Sequence, residues 1–292
     1  MTVTMTAGEQ PLQVRPTRRG PRRPPNVLAG LGGFIWLAVI ILPIYFVVIS
    51  SLRSQAGFFS TNPLAPPTDF TLDNYLLVLQ SGFGLYFLNS VIITAAAVAV
   101  TVTISLMAAY AVVRGSGRFV RSTFSVFLLG LAIPTHATII PLYYMITRAH
   151  LYDSLLALIL PSIGFAVPIT VLILANFMRD IPYELFESMR LDGAGDWRIL
   201  WNLVLPLARP ALVTVAIYDG LHVWNGFLFP LILTQSADKR VLPMALWTFQ
   251  GEFTVNVPAV LAAVVLSTLP MLVAYVLGRR HLVRGLTAGF GK

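Results

Sequence analysis

Six long apolar segments, each close to the length of a membrane-spanning helix, are the feature of this sequence that most restricts its fold. A helix needs about 20 apolar residues to cross the hydrocarbon core of a bilayer. A chain with 57% hydrophobic and only 11% charged residues is also unlike a water-soluble protein. The sequence therefore predicts an all-α membrane protein with six transmembrane helices. The predicted spans are residues 27–50, 87–113, 122–146, 155–178, 207–233 and 257–277.

Polar segments at the two ends complete the predicted organisation. Residues 1–26 are rich in proline and arginine, and so polar a segment cannot bury enough apolar surface to fold alone. We therefore expect a disordered basic tail there, a membrane domain over residues 27–278, and a second tail over residues 279–292. Prolines inside the third and fourth spans predict kinks rather than binding sites.

Basic residues concentrate on one side of the predicted spans. Of the 20 lysines and arginines, sixteen lie in the two terminal tails, in residues 114–121 and in residues 179–209. Because cytoplasmic segments carry the excess of Lys and Arg, both termini and the 179–209 stretch are predicted to be cytoplasmic. The net charge of +8 thus reflects membrane orientation and does not indicate nucleic-acid binding.

A charged stretch from Asp180 to Pro210 separates the fourth and fifth spans, and its local signals predict two short helices. Pro182 suits the first turn of a helix, where its missing N–H has no intrahelical partner anyway. Asp192-Gly193 would end that helix, because glycine readily takes the positive φ that such a stop needs. On pattern alone, a docking element and a solvated helical loop are both consistent with this stretch.

The second helix of the stretch would begin at Asp196, a suitable N-cap residue, and would close at Pro206 and Pro210. Its apolar residues repeat at i, i+3, i+4 and i+7, which predicts that they share one face. These residues are Trp197, Leu200, Trp201 and Val204.

No motif for catalysis or cofactor binding occurs in the full sequence. It contains no GxxxxGK[ST] phosphate loop, no HExxH zinc motif and no GxSxG elbow. With no cysteine, the chain has no disulfide, thiolate metal site or thiol nucleophile. We therefore expect a non-catalytic membrane subunit that binds no cofactor or metal.

Residues 187–206 resemble the cytoplasmic coupling loop of ABC-importer permeases. In that family the loop reads Glu-Ala-Ala, a glycine a few residues on, and a hydrophobic-x-Leu-Pro ending. The matching segments are Glu187-Ser188-Met189, Asp192-Gly193-Ala194 and Leu203-x-Leu205-Pro206. Ser188 and Met189 depart from the pattern, which has small alanines there, so Glu187 and Gly193 carry the resemblance more strongly.

The resemblance extends over residues 28–292 and is specific to the maltose-type, carbohydrate-uptake branch, in particular its shorter six-span member. It implies the type I ABC importer permease fold and a location in the bacterial plasma (inner) membrane. The segments that match are Asn74-Tyr75, Phe87-x-Asn89-Ser90, Ala109-Tyr110-Ala111, Ile133-Pro134, Ile140-Pro141-Leu142-Tyr143, Leu158-x-Leu160-Pro161, Trp224-Asn225-x-Phe227, Pro230-Leu231 and Arg284-Gly285-Leu286-Thr287-Ala288-Gly289.

The resemblance also implies partners that carry out the chemistry. This chain would form a heterodimer with a second permease and dock its 179–206 loop on an ATPase dimer that holds ATP and Mg. A sugar-binding protein would deliver substrate from outside, and closure of the ATPases would move the docked helices. The C-terminal tail would either contact the ATPase or be disordered. The coupling residues implied are Glu187, Ser188, Asp192, Gly193, Ala194, Trp197, Leu205 and Pro206.

Polar residues in the fifth span occur at the spacing of one helical face, at offsets 0, 1, 4 and 7. They are Tyr218, Asp219, His222 and Asn225, with Trp224 beside them. Polar groups at bilayer depth usually face a cavity or one another, so we expect either a sugar path or an Asp219–His222 pair that only holds helices together. Weaker candidates for the path are Asn89, His136 and Asn176.

Two other classes of protein remain as alternatives. A secondary transporter or channel would also have six spans with buried polar groups, but it has no need for a docking loop of this pattern. A membrane scaffold would not need the polar face on the fifth span. For an ABC permease, the substrate stays open among di- or oligosaccharides, monosaccharides, polyols and glycerol phosphate.

Overall fold

The computed structural model describes residues 27–246 and 255–288. The predicted disordered tail, residues 1–26, lies outside the described residues, as does the end of the C-terminal tail after Ala288. The last helix continues to Ala288, so the part of that tail from residue 279 to residue 288 is helical.

The regular structure of the described residues is helical, apart from one isolated bridge between Arg53 and Phe70. The chain forms two compact units, of which the first ends at Tyr45 and the second begins at Phe46. The α helices are α1 (Val27–Ser51), α2 (Gln55–Ser60), α3 (Asp73–Val78), α4 (Gly84–Arg114), α5 (Arg118–Gly130), α6 (Ile139–Arg148), α7 (Leu156–Arg179), α8 (Tyr183–Leu191), α9 (Asp196–Ile199), α10 (Leu205–Trp224), α11 (Leu228–Leu233), α12 (Leu242–Ala245) and α13 (Val257–Ala288). Leu79–Phe83 and Leu200–Val204 are π-helical, and Thr135–Thr138 and Ala237–Lys239 are 3-10 helices.

Four stretches of helix among the described residues are long and apolar enough to cross a membrane. They are Val27–Ser51, Asp73–Arg114, Leu156–Arg179 and Asp196–Trp224. The second stretch joins α3 to α4 through a π turn in which Gly82 has a φ of 90°. It begins well before the predicted start at residue 87, because the residues ahead of α4 form α3 and the π turn. The apolar part of α13 is shorter than the other four stretches.

The predicted third span, residues 122–146, is not one continuous helix. Arg118–Gly130 and Thr135–Arg148 meet at an angle of 94°. The break falls at Pro134, which has no N–H to donate and disfavours helical geometry at the residue before it. The two helices form either one broken span or a re-entrant loop, and a broken span would raise the number of crossings to five.

The predicted boundary between the charged stretch and the fifth span is wrong. The helix does not close at Pro206 or Pro210 but continues from Asp196 to Trp224. A π turn, Leu200–Val204, leads directly into α10, and Pro206 lies in the first turn of α10. The charged stretch and the fifth span are therefore one continuous helical rod.

Small side chains allow α4, α7 and α10 to approach closely at the end of the second unit that carries the charged stretch. Ala109, Ala175 and Ala208, one on each helix, are fully buried and belong to one apolar cluster. Small residues at helix contacts are the usual means of tight packing in membranes. Phe186 of α8 joins the same cluster, so the charged stretch is seated directly on the helix bundle.

The loops at the other end of these helices are held by buried polar groups. Arg53 is fully buried, and its guanidinium donates to the Thr61 hydroxyl (3.0 Å), the Asn62 carbonyl (3.0 Å) and the Ala65 carbonyl. The Asn74 side-chain amide donates to the Arg53 carbonyl at 2.7 Å. These hydrogen bonds within the segment between α1 and α3 hold its conformation.

Asp153 makes a second polar junction, between the α6–α7 turn and the segment after α11. Its Oδ1 accepts hydrogen bonds from the backbone N–H groups of Gln235 (2.8 Å) and Ser236 (3.0 Å), and its Oδ2 accepts one from the Ser236 hydroxyl. These bonds, the hydroxyl foremost, lower the pKa of the Asp153 carboxyl, because they stabilise its ionised form.

Candidate functional site

The helix–glycine–helix unit of α8 and α9, called the coupling element below (residues 180–204), is built around a tight glycine turn. Gly193 has a φ of 77°, as predicted for a glycine that ends a helix. Its N–H donates to the Arg190 carbonyl at 3.0 Å, and the Ala194 N–H donates to the Met189 carbonyl at 2.9 Å. These two bonds form a Schellman motif, which fixes the direction in which the chain leaves α8.

The outward surface of the coupling element carries polar side chains. Glu187, Ser188 and Asp192 are exposed. The Ser188 hydroxyl donates a hydrogen bond to the Leu185 carbonyl of the same helix at 3.0 Å. Within the part of the chain that the structure describes, the side chain of Glu187 has no hydrogen bond or ion pair. A carboxylate presented in this way is available to a basic group on another protein.

The inward surface of the coupling element is apolar. Phe186 and Ala194 are buried, and Met189 packs half-buried against the same cluster. Met189, the bulkiest departure from the family's Glu-Ala-Ala pattern, therefore fills space between α8 and the helix bundle rather than altering the exposed surface.

The predicted apolar face of the second helix is divided in the structure. Leu200 and Val204 are buried as predicted, together with Ile199, which the pattern omitted. Trp197 and Trp201 are 61% and 52% exposed, so in this chain they do not pack with Leu200 and Val204 against the helix bundle. The buried stripe is centred nearer to Ile199, which leaves both indole rings on the adjacent face.

Arg114, at the end of α4, makes cation–π contacts with two aromatic rings of α8. Its guanidinium carbon lies 4.6 Å from the centre of the Tyr183 ring and 4.4 Å from the centre of the Phe186 ring. Contacts of this kind contribute about 0.5–2 kcal/mol each, according to how far they are shielded from water. They connect α4 directly to the coupling element, across about 70 residues of sequence.

Asp196 makes a second connection from α4 to the coupling element. Its Oδ1 accepts a hydrogen bond from the Tyr110 hydroxyl at 2.9 Å and lies 3.4 Å from Arg190. Asp196 is the first residue of α9 and Gly195 is its N-cap, one residue earlier than predicted. The carboxylate therefore links three helices instead of capping one. Leu205 is half-buried against the same cluster and Pro206 is exposed.

A cavity of about 500 Å³ lies between α4, the α5–α6 break, α7 and the end of α10. Most of its wall is apolar or aromatic, which suits one face of a sugar ring. The polar residues that line it are Ser90, Thr94, Thr135, His136, Ser162, Tyr218, Asp219 and His222. Four of the predicted path residues of the fifth span, Tyr218, Asp219, His222 and Trp224, thus come together at one cavity.

Asp219 does not pair with His222 in the structure. Its Oδ2 accepts a hydrogen bond from the Thr170 hydroxyl of α7 at 2.8 Å, and the residue as a whole is 2% exposed. His222 instead lies against Tyr218, with ring centres 5.3 Å apart. The predicted alternative of a direct Asp219–His222 hydrogen bond is therefore not formed, whereas the Asp219–Thr170 bond does join α10 to α7.

Trp224 and the other predicted path residues use their side chains in hydrogen bonds to the protein. Trp224 lines the cavity but donates its indole N–H to the Ser267 carbonyl of α13 at 3.2 Å. Asn225 caps α10 by donating to the Leu221 carbonyl at 2.8 Å. Asn89 donates to the carbonyls of Asp238 (2.8 Å) and Arg240 (2.9 Å), so it holds a loop. Asn176, among the weaker candidates, accepts a hydrogen bond from Arg179 at 3.2 Å.

Sequence reasoning missed Arg114, Tyr110 and Thr170 as site residues. Arg114 was used only as a topology signal, and the other two lay inside apolar spans. Their roles depend on contacts between distant segments, for which local spacing carries no signal. Among the residues that the structure describes, no group of three His, Asp or Glu is placed to hold a metal ion.

Comparison with protein families places this geometry in a known class. Residues 101–287 match the model of the family described as "Binding-protein-dependent transport system inner membrane component". That match includes the coupling element and most of the cavity wall.

Three similar proteins agree with the family match. The diacetylchitobiose uptake system permease protein NgcG of Streptomyces coelicolor is 33% identical over 258 residues, 87% of this chain and 85% of the relative. The arabinooligosaccharides transport system permease protein AraQ of Halalkalibacterium halodurans is 30% identical over 263 residues, 88% and 93% of the two chains. A crystal structure of a bacterial ABC transporter involved in the import of the acidic polysaccharide alginate superposes with a TM-score of 0.78 at 22% identity, covering 88% and 95%. The predicted family is confirmed: the chain belongs to the binding-protein-dependent inner membrane components, and it is an ABC importer permease.

Proposed function

We propose that this chain forms half of the translocation path of an ATP-driven importer of a di- or oligosaccharide. The similar permeases of Streptomyces coelicolor and Halalkalibacterium halodurans, named for diacetylchitobiose and arabinooligosaccharides, support this substrate class. The second half of the path would come from a different permease subunit. ATP and Mg would be bound by a partner ATPase dimer, and this chain would hold no cofactor and catalyse no reaction.

In the proposed topology the chain crosses the bacterial plasma (inner) membrane six times, with both termini in the cytoplasm. The broken pair of α5 and α6 would be the third span and α13 the sixth. The concentration of Lys and Arg in the tails, in residues 114–121 and in residues 179–209 supports this orientation. It places the coupling element on the cytoplasmic side and the Arg53 and Asp153 junctions outside.

The single observation that carries the proposed function is the coupling element itself. Its apolar side is fixed to the helix bundle, while Glu187 and Asp192 point outward. In the proposed mechanism, the ATPase dimer pulls the docked element as it closes on nucleotide. Arg114 and Asp196 then pass the motion to α4, and the continuous rod of α9 and α10 passes it to the cavity. The coupling surface would comprise Glu187, Ser188, Asp192, Gly193, Ala194, Trp197, Leu205 and Pro206.

The cavity beside α10 is the proposed substrate path of this subunit. Tyr218, Asp219 and His222 would contact the sugar through ring faces and hydrogen bonds, with His136 and Trp224 at the wall. Asn89 and Asn225 would shape the path from behind, because their side-chain amides already bond to backbone carbonyls. An extracytoplasmic binding protein would deliver the sugar.

Gentle purification of the tagged chain from its native membrane, followed by mass spectrometry, tests this function. We expect a second permease, an ATPase subunit and an extracytoplasmic sugar-binding protein, and ATP-driven uptake of that protein's sugar by the reconstituted complex. An intact, monodisperse chain recovered alone or only with copies of itself would overturn the proposal and favour a secondary transporter or channel.

A further inference from the structure

The cavity next to α10 contains one acidic side chain whose hydrogen-bonding capacity is only partly used. Asp219 is 2% exposed, and its Oδ2 accepts the Thr170 hydroxyl at 2.8 Å. Its Oδ1 accepts no hydrogen bond from any described residue. Asp219 lines the cavity, and Oδ1 does not belong to the fully buried side-chain atoms that lack a partner, so this oxygen is open to the cavity. The free oxygen therefore calls for a donor that comes from the cavity.

The cavity wall has no basic side chain to balance this carboxyl group. Neither Lys nor Arg is among the described residues that line it, and the other ionisable side chains there are Tyr218 and the imidazoles of His136 and His222. The rest of the wall is largely aliphatic or aromatic, including Phe165 and Phe229. In such surroundings charges interact more strongly than they do in water.

We propose that Asp219 makes this cavity a subsite that selects sugars by charge. Neutral sugars, or sugars with an amino group, would donate a hydroxyl or ammonium hydrogen to Oδ1. Sugars that carry a carboxylate, such as uronic acids, would meet a like charge with no Lys or Arg to offset it. The inference rests on the proposed function and adds a second selection step, inside the membrane, to the choice made by the binding protein.

The absence of cysteine from the chain permits a direct test of this charge. Ala166 lines the cavity one helical turn before Thr170, and Ala166→Cys would place a single thiol close to Asp219. We would compare its rates of modification by a cationic (trimethylammonioethyl) and an anionic (sulfonatoethyl) methanethiosulfonate in the purified complex. The partner subunits would carry no reactive cysteine. Ser60→Cys, on the exposed end of α2, supplies the control.

At Ala166→Cys we expect the cationic reagent to be favoured severalfold more than at Ser60→Cys. Adding Asp219→Asn should remove that excess, whereas Asp219→Glu should retain it. With Asp219 unchanged, the ratio of cationic to anionic modification rates at Ala166→Cys should exceed that at Ser60→Cys, and an equal or lower ratio would overturn the proposal. A ratio that Asp219→Asn leaves unchanged would also overturn it.

The readout also separates this inference from the proposed function. Reaction rates need neither transport nor a known substrate, whereas the importer assignment is tested by co-purification and ATP-driven uptake. A complex that transports sugar but shows no cation preference would refute the charge subsite alone. The converse result would refute the importer assignment alone.

Discussion

The two ends of the second unit use polar residues in opposite ways. At the loop end, the polar side chains of Arg53, Asn74 and Asp153 are committed to hydrogen bonds within the chain. At the coupling element, Glu187 and Asp192 are exposed, and no hydrogen bond of their side chains is formed with the described residues. Both regions are rich in polar residues, and both lie between apolar helices.

This contrast indicates which polar residues shape the protein and which serve another molecule. A buried group such as Arg53, whose two terminal guanidinium nitrogens donate to three acceptors, stabilises its own loop, and its loss leaves those acceptors without a donor. An exposed group without a partner contributes little to folding, so its removal should spare the fold and affect only an interface. Variants at the two ends should therefore separate stability from transport.

The largest expected effect on stability comes from Arg53→Met. The substitution removes a buried guanidinium that donates to Thr61, Asn62 and Ala65, and we expect a loss of about 3 kcal/mol or more, measured as a lower Tm of the purified complex. Arg148→Met is the matched control, because Arg148 is exposed and should tolerate the change. Equal Tm values for the two variants would show that the loop is not held from within.

Gly193→Val should cost less stability but abolish most transport. A β-branched residue at a φ of 77° is strained by about 1–3 kcal/mol, and relief of the strain would reorient α9 relative to α8. Gly195→Ala is the control, since Gly195 has a φ of −75° and open space around its Cα. Uptake assays on membranes with equal amounts of complex compare them, and normal uptake by the Gly193 variant would contradict the proposed role of the turn.

Glu187→Arg should change the free energy of unfolding by no more than about 0.5 kcal/mol, because the side chain is exposed and has no partner among the described residues. We expect at least a tenfold loss of ATP-driven uptake, equivalent to about 1.4 kcal/mol of lost interaction with a basic groove. Glu184→Arg, in the first turn of the same helix, should lose much less. Similar losses in both variants would indicate a general effect of charge rather than a specific contact.

The smallest expected effect is the acid sensitivity of the Asp153 junction. Because the folded-state pKa of Asp153 lies below its ordinary value, its stabilisation is fully present above about pH 4 to 5 and disappears as the pH falls through the folded-state value. Asp153 is only half-buried and its charge is screened by water, so the loss should stay under about 1 kcal/mol. Asp153→Asn should have a flatter Tm profile between pH 5 and pH 3, and identical profiles would show that the junction contributes nothing.

Local sequence signals predicted the features that depend on local physics. Apolar length identified four stretches that are long enough to cross a membrane, and the glycine at position 193 identified the positive φ between α8 and α9. The prediction that Pro206 closes a helix was wrong, because the helical stretch continues through Pro206 into α10. The predicted apolar face is only partly buried within this chain, because the buried stripe is centred on Ile199.

Contacts between distant segments could not be read in this way. The stacking of Arg114 on Tyr183 and the hydrogen bond from Thr170 to Asp219 exist only once the helices are packed. Neither residue has a local pattern that names its partner. The sequence predicted that Asp219 lies near the path or pairs with His222. The packed structure shows that its hydrogen-bond partner is Thr170.

Photo-cross-linking from position 187 tests most directly whether the coupling element docks on an ATPase. In this cysteine-free chain, Glu187→Cys can be labelled with benzophenone maleimide in the purified complex, with Ser60→Cys as the control on the opposite loop. We predict a product of this chain with the ATPase subunit from Glu187→Cys and none from Ser60→Cys. An efficiently labelled Glu187→Cys variant that gives no ATPase product, in a purified complex that still contains the ATPase subunit, would contradict the proposed docking.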